Sequence, residues 1–193
     1  MPARDDERLI RDCLDGDESA WNELIERYAP LIWSIPRRYG LKSAAAEDVF
    51  ADVCLILVRS LKNIRDPKAL PKWIIQATTR ATWEAGRRET RHKSEDLPEL
   101  TGAAPPGEFV EALEAEHHVR RALAGISERC RRLLELLYFD TETPSYDDIA
   151  AKMAMPRGSL GPTRRRCLDK MREKLPAALA GDVSGRGQAP PEK

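Results

Sequence analysis

The chain has 193 residues, and its 32 basic and 32 acidic side chains give a formal net charge of zero. This length allows one or two small domains with real hydrophobic cores. No apolar run could span a bilayer and no signal peptide is recognisable, so we expect a cytoplasmic protein without membrane contact. The cysteines form no CxxC pair, and two adjacent histidines cannot share a helix face well. We therefore expect no metal site, no cofactor and buried free thiols at Cys13, Cys54, Cys130 and Cys167.

Charge is distributed along the chain in blocks of alternating sign. Residues 1–27 carry nine acids and four bases, and residues 72–93 carry six bases and two acids. Residues 94–118 then carry seven acids and no Lys or Arg, and residues 157–175 carry seven bases and two acids. Only local charge acts on a polyanion, because salt screens beyond roughly 8–10 Å. The two basic segments predict two contacts with DNA, and the acidic segments are suited to a basic partner protein.

Helical periodicity runs through the chain, and strand signals are nearly absent. A short helix is predicted over 5–14, and a second helix is predicted to open at Asp17 or Ser19. Pro30 and Pro36 lack backbone donors, so we expect that second helix to be broken.

Two longer helices are predicted next, from Ser43 to about Leu61 and from about Pro71 to Arg91. In the first of them, an apolar stripe at helical spacing indicates the buried face. The segment 62–70 between the two helices contains Asp66-Pro67 and is typical of a loop.

The fold class is therefore all-α, with two small helical domains joined by a flexible linker. The first domain is predicted over residues 1–90. An acidic linker that contains Pro and Gly and few large apolar residues follows over 91–108. The second helical domain is predicted over 109–176, and the Gly- and Pro-rich tail, 177–193, is predicted to be disordered.

The segment 145–175 predicts a short helix, a tight turn over 154–156 and a longer basic helix. This is the layout of a helix-turn-helix DNA reader. Ser145 can cap the first helix, with Asp148 completing an imperfect capping box. Helical spacing predicts that the two helices bury Tyr146, Ile149, Ala150, Met153, Leu160, Cys167, Leu168, Met171 and Leu175.

Pro162 bears on where the basic helix begins. It cannot donate a backbone hydrogen bond, so it fits the first turn of a helix. We therefore expect the helix to start near Gly158 or Ser159, with Ser159 as the N-cap. Arg165 and Arg166 lie opposite the apolar stripe, where a major groove could accept them. The alternative is an αα-hairpin with a solvated basic face.

The 71–91 helix has a polar, basic face with an aromatic residue in it. Arginines can hold phosphates, and the indole of Trp83 offers a plane for an unstacked base, worth about 1–3 kcal/mol per base. The alternative is that Trp83 packs on a neighbouring helix and the arginines are solvated. The opposite face collects Trp73, Ile74, Ala77, Ala81 and Ala85, and the basic face collects Lys72, Gln76, Arg80, Trp83 and Arg87.

Five segments together resemble an extracytoplasmic-function (ECF) sigma factor, the small promoter-recognition subunit of bacterial RNA polymerase. The helices of sigma region two are similar to WNELIERYAPLIWSI, AEDVFADVCLILVRSL and KWIIQATTRATWEAGRR. The helices of region four are similar to ISERCRRLLELLYF and YDDIAAKMAMPRGSLGPTRRRCLDKMREKL. The resemblance covers about residues 7–90 and 110–175, and it rests on the order and spacing of these segments.

The resemblance implies a protein that is not an enzyme, has no catalytic residues and binds core RNA polymerase through the β′ clamp and the β flap. It would direct the polymerase to promoter DNA and support melting, and an anti-sigma protein is a candidate partner. The implied contacts to the clamp are Glu47, Asp48 and Asp52. The implied contacts to the minus-ten element, including the loop that captures a flipped base, are Asn63, Arg65, Lys72, Gln76, Arg80, Trp83, Glu84, Arg87 and Arg88. The implied contacts to the minus-thirty-five element are Arg157, Ser159, Thr163, Arg164, Arg165 and Arg166.

The chain departs from the family pattern at three positions. The melting helix commonly carries Asn and Asp where this chain has Arg80 and Glu84, and the clamp helix commonly carries Gln in place of Ala51. Two other readings of the sequence stay open. One is a free-standing, dimeric helix-turn-helix regulator that binds duplex DNA without polymerase. The other is a nucleic-acid-processing enzyme, which would need clustered ligands or acid-base groups that the sequence does not place together.

Overall fold

The computed structural model describes residues 4–92, 106–140 and 144–180, and of residues 89–92 only the backbone. All regular structure in these ranges is helical, which confirms the all-α fold class. Two short 3₁₀ turns, Leu61–Asn63 and Pro67–Ala69, lie where a loop was predicted. The helices are α1 (Asp6–Leu14), α2 (Glu18–Arg38), α3 (Ser43–Ser60), α4 (Leu70–His92), α5 (Gly107–Ala124), α6 (Glu128–Tyr138), α7 (Tyr146–Lys152), α8 (Arg157–Arg172) and α9 (Ala177–Ala180).

The described residues form two compact units, divided between Glu114 and Ala115. The predicted boundary was the linker over 91–108, and residues 93–105 of that linker lie outside the described residues. The structural division falls later because the first turns of α5 bury Val110 and Leu113 in the core of the first unit. The prediction of a disordered tail is wrong for α9, which is helical, and residues 181–193 lie outside the described residues.

The first unit is built from α1 to α4, with α4 packed against both α2 and α3. The first two helices begin where they were predicted, and each has an N-cap: the Asp5 carboxylate accepts from the Arg8 amide, and the Asp17 carboxylate accepts from the amides of Ser19 and Ala20. Each cap satisfies helix N–H groups that would otherwise have no partner. The fully buried large side chains of this unit are Leu9, Leu24, Tyr28, Ile32, Ile35, Leu57, Leu61, Leu70, Ile74, Ile75 and Leu113.

The prediction that α2 breaks at its prolines is wrong, because α2 runs without interruption through Pro30 and Pro36. Each proline removes one helical hydrogen bond, a cost of about 3 kcal/mol in a helix interior. The same part of α2 buries Leu31, Ile32 and Ile35 with at most 5% exposure. Burying such side chains stabilises by about 1.5–3 kcal/mol each, which offsets the loss.

Three threonines on the buried face of α4 hold their hydroxyls within the helix. Thr78, Thr79 and Thr82 are fully buried. Their Oγ1 atoms donate to the carbonyls of Ile74, Ile75 and Thr78, respectively, at 2.7, 2.8 and 2.7 Å. The buried hydroxyls are therefore satisfied inside α4.

Arg27 is the central cation of an ion-pair network between α1 and α2. Its side chain is 9% exposed and donates to Asp6 at 2.6 Å, to Glu23 at 2.7 Å and to the Arg4 carbonyl at 2.6 Å. Arg4 in turn pairs with Asp17 at 2.9 Å. Hydrogen bonds from Ser19 and then Arg4 lower the pKa of Asp17 to about 2. Several acids of the 1–27 segment, which we suggested for a basic partner protein, are thus neutralised within the unit.

In the second unit, α6, α7 and α8 pack around one small core. Ser127 is the N-cap of α6, and the N-cap predicted at Ser145 is confirmed. The capping box is complete: the Ser145 amide donates to Asp148 at 3.1 Å, and the Asp148 amide donates to the Ser145 hydroxyl at 3.2 Å. The buried residues are Leu123, Cys130, Leu133, Leu134, Ile149, Ala150, Met153, Leu160 and Cys167, with Tyr146, Leu168 and Met171 packed against them.

The predicted basic helix starts one residue before Gly158, and the prediction of Ser159 as its N-cap is wrong. α8 begins at Arg157 with Pro156 as its N-cap, and Ser159 and Pro162 both lie inside it. The Pro156 carbonyl already accepts the Ser159 amide at 2.9 Å, so the first turn is closed before Ser159 could cap it. Pro162 leaves the Gly158 carbonyl without its usual donor. Both residues are exposed, and water can take the place of that donor.

The prediction of four free thiols holds for two cysteines and is wrong for the other two. Cys13 is a buried free thiol, with its pKa raised to about 11 by burial, and Cys54 is a half-buried free thiol. Cys130 of α6 and Cys167 of α8 form a disulfide, with their Cα atoms 5.2 Å apart. The pairing depends on how α6 packs on α8, and the 37-residue separation of the two cysteines did not indicate it.

Ala154, in the turn between α7 and α8, offers a test of backbone strain. Its φ is +48°, a left-handed conformation that disfavours residues with a Cβ atom. Glycine adopts this conformation freely but loses more entropy on folding. We therefore expect Ala154→Gly to stabilise the second unit by about 0.5 kcal/mol, measured by urea unfolding.

The matched control for this substitution is Ala151→Gly, because Ala151 is also exposed but lies within α7. This change should destabilise by about 0.5–1 kcal/mol. Equal destabilisation by both substitutions would show that the backbone at Ala154 is not strained in a way that glycine relieves.

Candidate functional site

The outer face of α3 carries the three acids that the family resemblance assigns to the polymerase clamp. Glu47, Asp48 and Asp52 are all exposed. The opposite face of the same helix buries Val49, Val53 and Leu57. This division into two faces follows from the apolar spacing, which places the acids outward at the N-terminal half of the helix.

Three apolar side chains continue the same helix surface, and the sequence reasoning missed them. Leu55 and Val58 are each 55% exposed, and Ile56 is 39% exposed. The signal was present in the continuous apolar run over 53–58. A helix that buries one stripe needs only Val53 and Leu57 from that run. The remaining apolar residues form an exposed patch, which is typical of a protein–protein contact.

The two 3₁₀ turns between α3 and α4 enclose a cavity of about 360 Å³. Asn63 and Arg65, both predicted to contact the minus-ten element, line it together. The Asp66 carboxylate accepts from the Lys68 amide at 2.9 Å and so holds the second turn in shape. Trp73, which we had placed on the apolar face of α4, also lines the cavity and is only half-buried. The remaining lining residues are Ser60, Ile64, Asp66 and Ala69.

A second cavity of about 540 Å³ runs between α3 and α4. It brings Asp52 from the predicted polymerase contacts together with three predicted DNA contacts of α4. Ser60 and Trp73 line both cavities, so the turn and the groove form one continuous surface. The other residues that line the groove are Leu55, Ile56, Arg59, Gln76, Ala77, Arg80, Ala81 and Glu84.

Most of the side chains predicted on the basic face of α4 are solvent-facing. Gln76 is half-buried, and Arg88 lies 3.8 Å from Glu84, one turn away. Such an exposed pair is weak, so a phosphate can replace it. The exposed members of the set are Lys72, Arg80, Glu84, Arg87 and Arg88.

Trp83 does not belong to this exposed face. It is 7% exposed, so its indole is buried and presents no open plane on which a base could stack. The alternative from the sequence, in which Trp83 packs within the protein, agrees with the structure. The physical reason is that α4 packs on two helices, α2 and α3, and therefore buries a wider arc than the single stripe we assumed.

In α8, the predicted DNA contacts differ in how freely they can reach a ligand. Arg165 and Arg166 are exposed, and Arg157 is exposed beside Asp147 at 3.2 Å. Arg164 is half-buried and donates to the Tyr146 hydroxyl at 3.2 Å, which joins α8 to α7. Arg164 therefore has a structural task that the sequence did not indicate. Ser159 and Thr163 are half-buried along the same helix.

In the ranges 4–92, 106–140 and 144–180, no three His, Cys, Asp or Glu side chains are grouped as metal ligands. Within the same ranges, no helix combines the length and the apolar character needed to cross a bilayer.

Comparisons with known proteins agree with this geometry. Residues 24–92 match the family model "Sigma-70 region 2". The match runs from within α2 to the end of α4, and so it includes α3, both 3₁₀ turns and α4. Over 171 residues the chain is 26% identical to the "ECF RNA polymerase sigma factor RpoE" of Cereibacter sphaeroides, covering 87% of this chain and 92% of the relative. The family-model match and this relative together support an ECF sigma factor.

Proposed function

We propose that this protein is an ECF sigma factor that binds core RNA polymerase through the outer face of α3 and directs it to promoters. The turn cavity and α4 engage the minus-ten element and hold melted non-template bases. The α7–α8 pair acts as a helix-turn-helix that binds the minus-thirty-five element. The protein works in the cytoplasm, where bacterial polymerase is found, and it catalyses no reaction itself.

The composition of the exposed face of α3 is the main support for the proposed polymerase contact. Charges at Asp48 and Asp52 can steer association with a basic surface, because electrostatic complementarity mainly sets orientation and association rate. Leu55 and Val58, exposed one and two turns further on, can supply the desolvated centre that stable interfaces need. A solvated helix face would account for the acids but not for the exposed apolar residues.

The DNA contacts are supported by the separation of charge on the surface of the first unit. The acids of α1 and of the start of α2 are largely paired with Arg4 and Arg27. Arg80, Arg87 and Arg88 of α4 are exposed, and Arg88 lies 3.8 Å from Glu84 in a weak pair. Phosphates are therefore attracted to α4, and the cavity beside it has room for an extruded base.

The polymerase contact is tested by the double charge reversal Glu47→Arg/Asp48→Arg. Both residues are exposed, so the fold should be retained. Placing cations against a basic surface should weaken binding to core polymerase by at least about tenfold, a change of about 1.4 kcal/mol. The measurement is co-elution with core polymerase in size-exclusion chromatography, followed by titration of a labelled chain.

The matched control reverses two exposed acids on other helices, Glu7→Arg/Glu26→Arg. This variant should co-elute like the original chain. Failure of the original chain to co-elute, combined with tight binding of duplex DNA by a dimer of the chain alone, would overturn the proposal. That result would favour the free-standing helix-turn-helix regulator.

A further inference from the structure

The Cys130–Cys167 disulfide joins the first and last helices of the α6–α7–α8 unit. Cys130 lies in the first turn of α6, where its amide donates to the Ser127 N-cap at 3.4 Å. Cys167 lies in the second half of α8, and α7 and both connecting segments fall within the 37-residue loop that the bond closes. A single covalent link thus closes a loop that contains all of α7 and most of α8.

Both sulfur-bearing residues lie in the core and not at its edge. Cys130 is 7% exposed and Cys167 is 1% exposed. Their neighbours in the core cluster include Leu133, Ile149 and Leu160. A thiol or disulfide reagent can therefore reach the pair only when the unit opens, so reduction and unfolding of the unit are coupled.

The core of this unit is small, so the cross-link matters to its stability. Units of this size bury little apolar surface and often depend on a covalent staple. The bond acts mainly by restricting the unfolded chain, and a loop of this length gives a substantial effect. In a reducing compartment, a disulfide is more often a redox sensor than a permanent support.

The position of Cys167 connects the bond to the proposed DNA contact. Arg165 and Arg166 immediately precede it in α8 and are exposed, whereas Cys167 faces the core. The disulfide holds that turn of α8 against α6. Reduction of the disulfide therefore removes the covalent link between α6 and the turn of α8 that contains Arg165 and Arg166.

We propose that Cys130 and Cys167 form a redox switch that controls the stability of the α6–α7–α8 unit and, through it, binding to the minus-thirty-five element. The reactant is a small-molecule disulfide. The protein dithiol passes two electrons and two protons to that disulfide, one sulfur–sulfur bond forms in the protein, and two small thiols leave. A dithiol reverses the reaction. The DNA consequence rests on the proposed function, whereas the effect on stability does not.

The stability arm compares the full chain after treatment with oxidised glutathione and with dithiothreitol. Thiol titration in denaturant should find two reactive thiols in the oxidised chain and four in the reduced chain. Reduction should lower the unfolding temperature of the second unit by roughly 15–25 °C. Hydrogen exchange should speed up in peptides from α6, α7 and α8 and stay unchanged in α2 to α4.

Two variants separate the cross-link from general effects of the reagents. Cys130→Ala/Cys167→Ala should show the same unfolding temperature in both reagents, and Cys13→Ala/Cys54→Ala should keep the full redox shift. If the first variant fails to fold, the comparison of the two redox states of the original chain decides alone. Four thiols after oxidation, glutathione attached in place of the internal bond, or exchange rates that do not respond to reduction would overturn the proposal.

The DNA arm uses the chain assembled with core polymerase on a promoter fragment. Reduction should weaken promoter binding at least about tenfold, while polymerase co-elution, which depends on the first unit, is unchanged. Equal promoter binding in both states would overturn the link to DNA. Absence of polymerase co-elution in both states, with the exchange difference still present, would count against the proposed function and support the switch as a property of the fold.

Discussion

Replacing Arg27 by alanine should lower the free energy of unfolding of the first unit by about 3–5 kcal/mol. The Arg27 side chain is 9% exposed and the Asp6 side chain 17% exposed, so removing the guanidinium leaves a poorly solvated carboxylate. Tyr28 still donates to Asp6 at 3.1 Å, but a neutral hydroxyl does not replace a cation. The measurement is urea unfolding at neutral pH, followed by circular dichroism.

The control for this substitution is Arg11→Ala. Arg11 also pairs with an acid, Glu7 at 3.2 Å, but both side chains are more than 60% exposed. Exposed pairs of this kind contribute little to stability, about 0.5 kcal/mol or less. A loss of less than about 1 kcal/mol for Arg27→Ala would show that Asp6 and Glu23 find solvent when the arginine is removed, contrary to the burial described above.

The second large effect is expected for Arg80→Ala/Arg87→Ala on α4. Both side chains are exposed, so the fold should be unaffected. With the chain bound to core polymerase, removal of two phosphate contacts should reduce the salt dependence of binding to single-stranded minus-ten DNA. The slope of the logarithm of the binding constant against the logarithm of the salt concentration should fall in magnitude by about 1.4, that is about 0.7 for each contact with a single strand. The measurement is fluorescence anisotropy of a labelled oligonucleotide at several salt concentrations.

Arg8→Ala/Arg11→Ala removes the same charge from α1 and serves as the matched control. Both residues are exposed and lie outside the two cavities of the first unit. If the slope is unchanged by substitution on α4, or falls equally for both variants, the α4 face makes no specific contact with the strand. Net charge would then account for any effect on affinity.

Local features of the fold could be predicted because their causes lie within a few residues. The caps at Asp5, Asp17, Ser127 and Ser145 depend only on a side chain and the next three amides. The path of α2 through Pro30 depends on burial elsewhere in the unit, and a local rule about proline cannot weigh that contribution. The same holds for the Cys130–Cys167 pair, because helix periodicity does not say which helix a buried face meets.

In the candidate site, too, the sequence predicts features that depend on local periodicity but not those that depend on which helices pack together. Outward positions such as Asp48 and Arg80 follow from the period of the apolar residues. Trp83 was misplaced because the sequence does not show that α4 packs against two helices. Leu55 and Val58 were missed because apolar residues were expected to be buried, although an apolar run wider than one stripe indicates a surface for a partner.

The row of threonines in α4 has a consequence for how such proteins diversify. Because Thr78, Thr79 and Thr82 satisfy their hydroxyls on α4's own carbonyls, the packing against α2 and α3 requires no hydrogen bond to them from outside the helix. The outward residues of α4 can then change without breaking any polar contact of that buried row. On the proposed function, surface substitution alone would give gene duplicates new promoter preferences, while one inherited interior continues to fold.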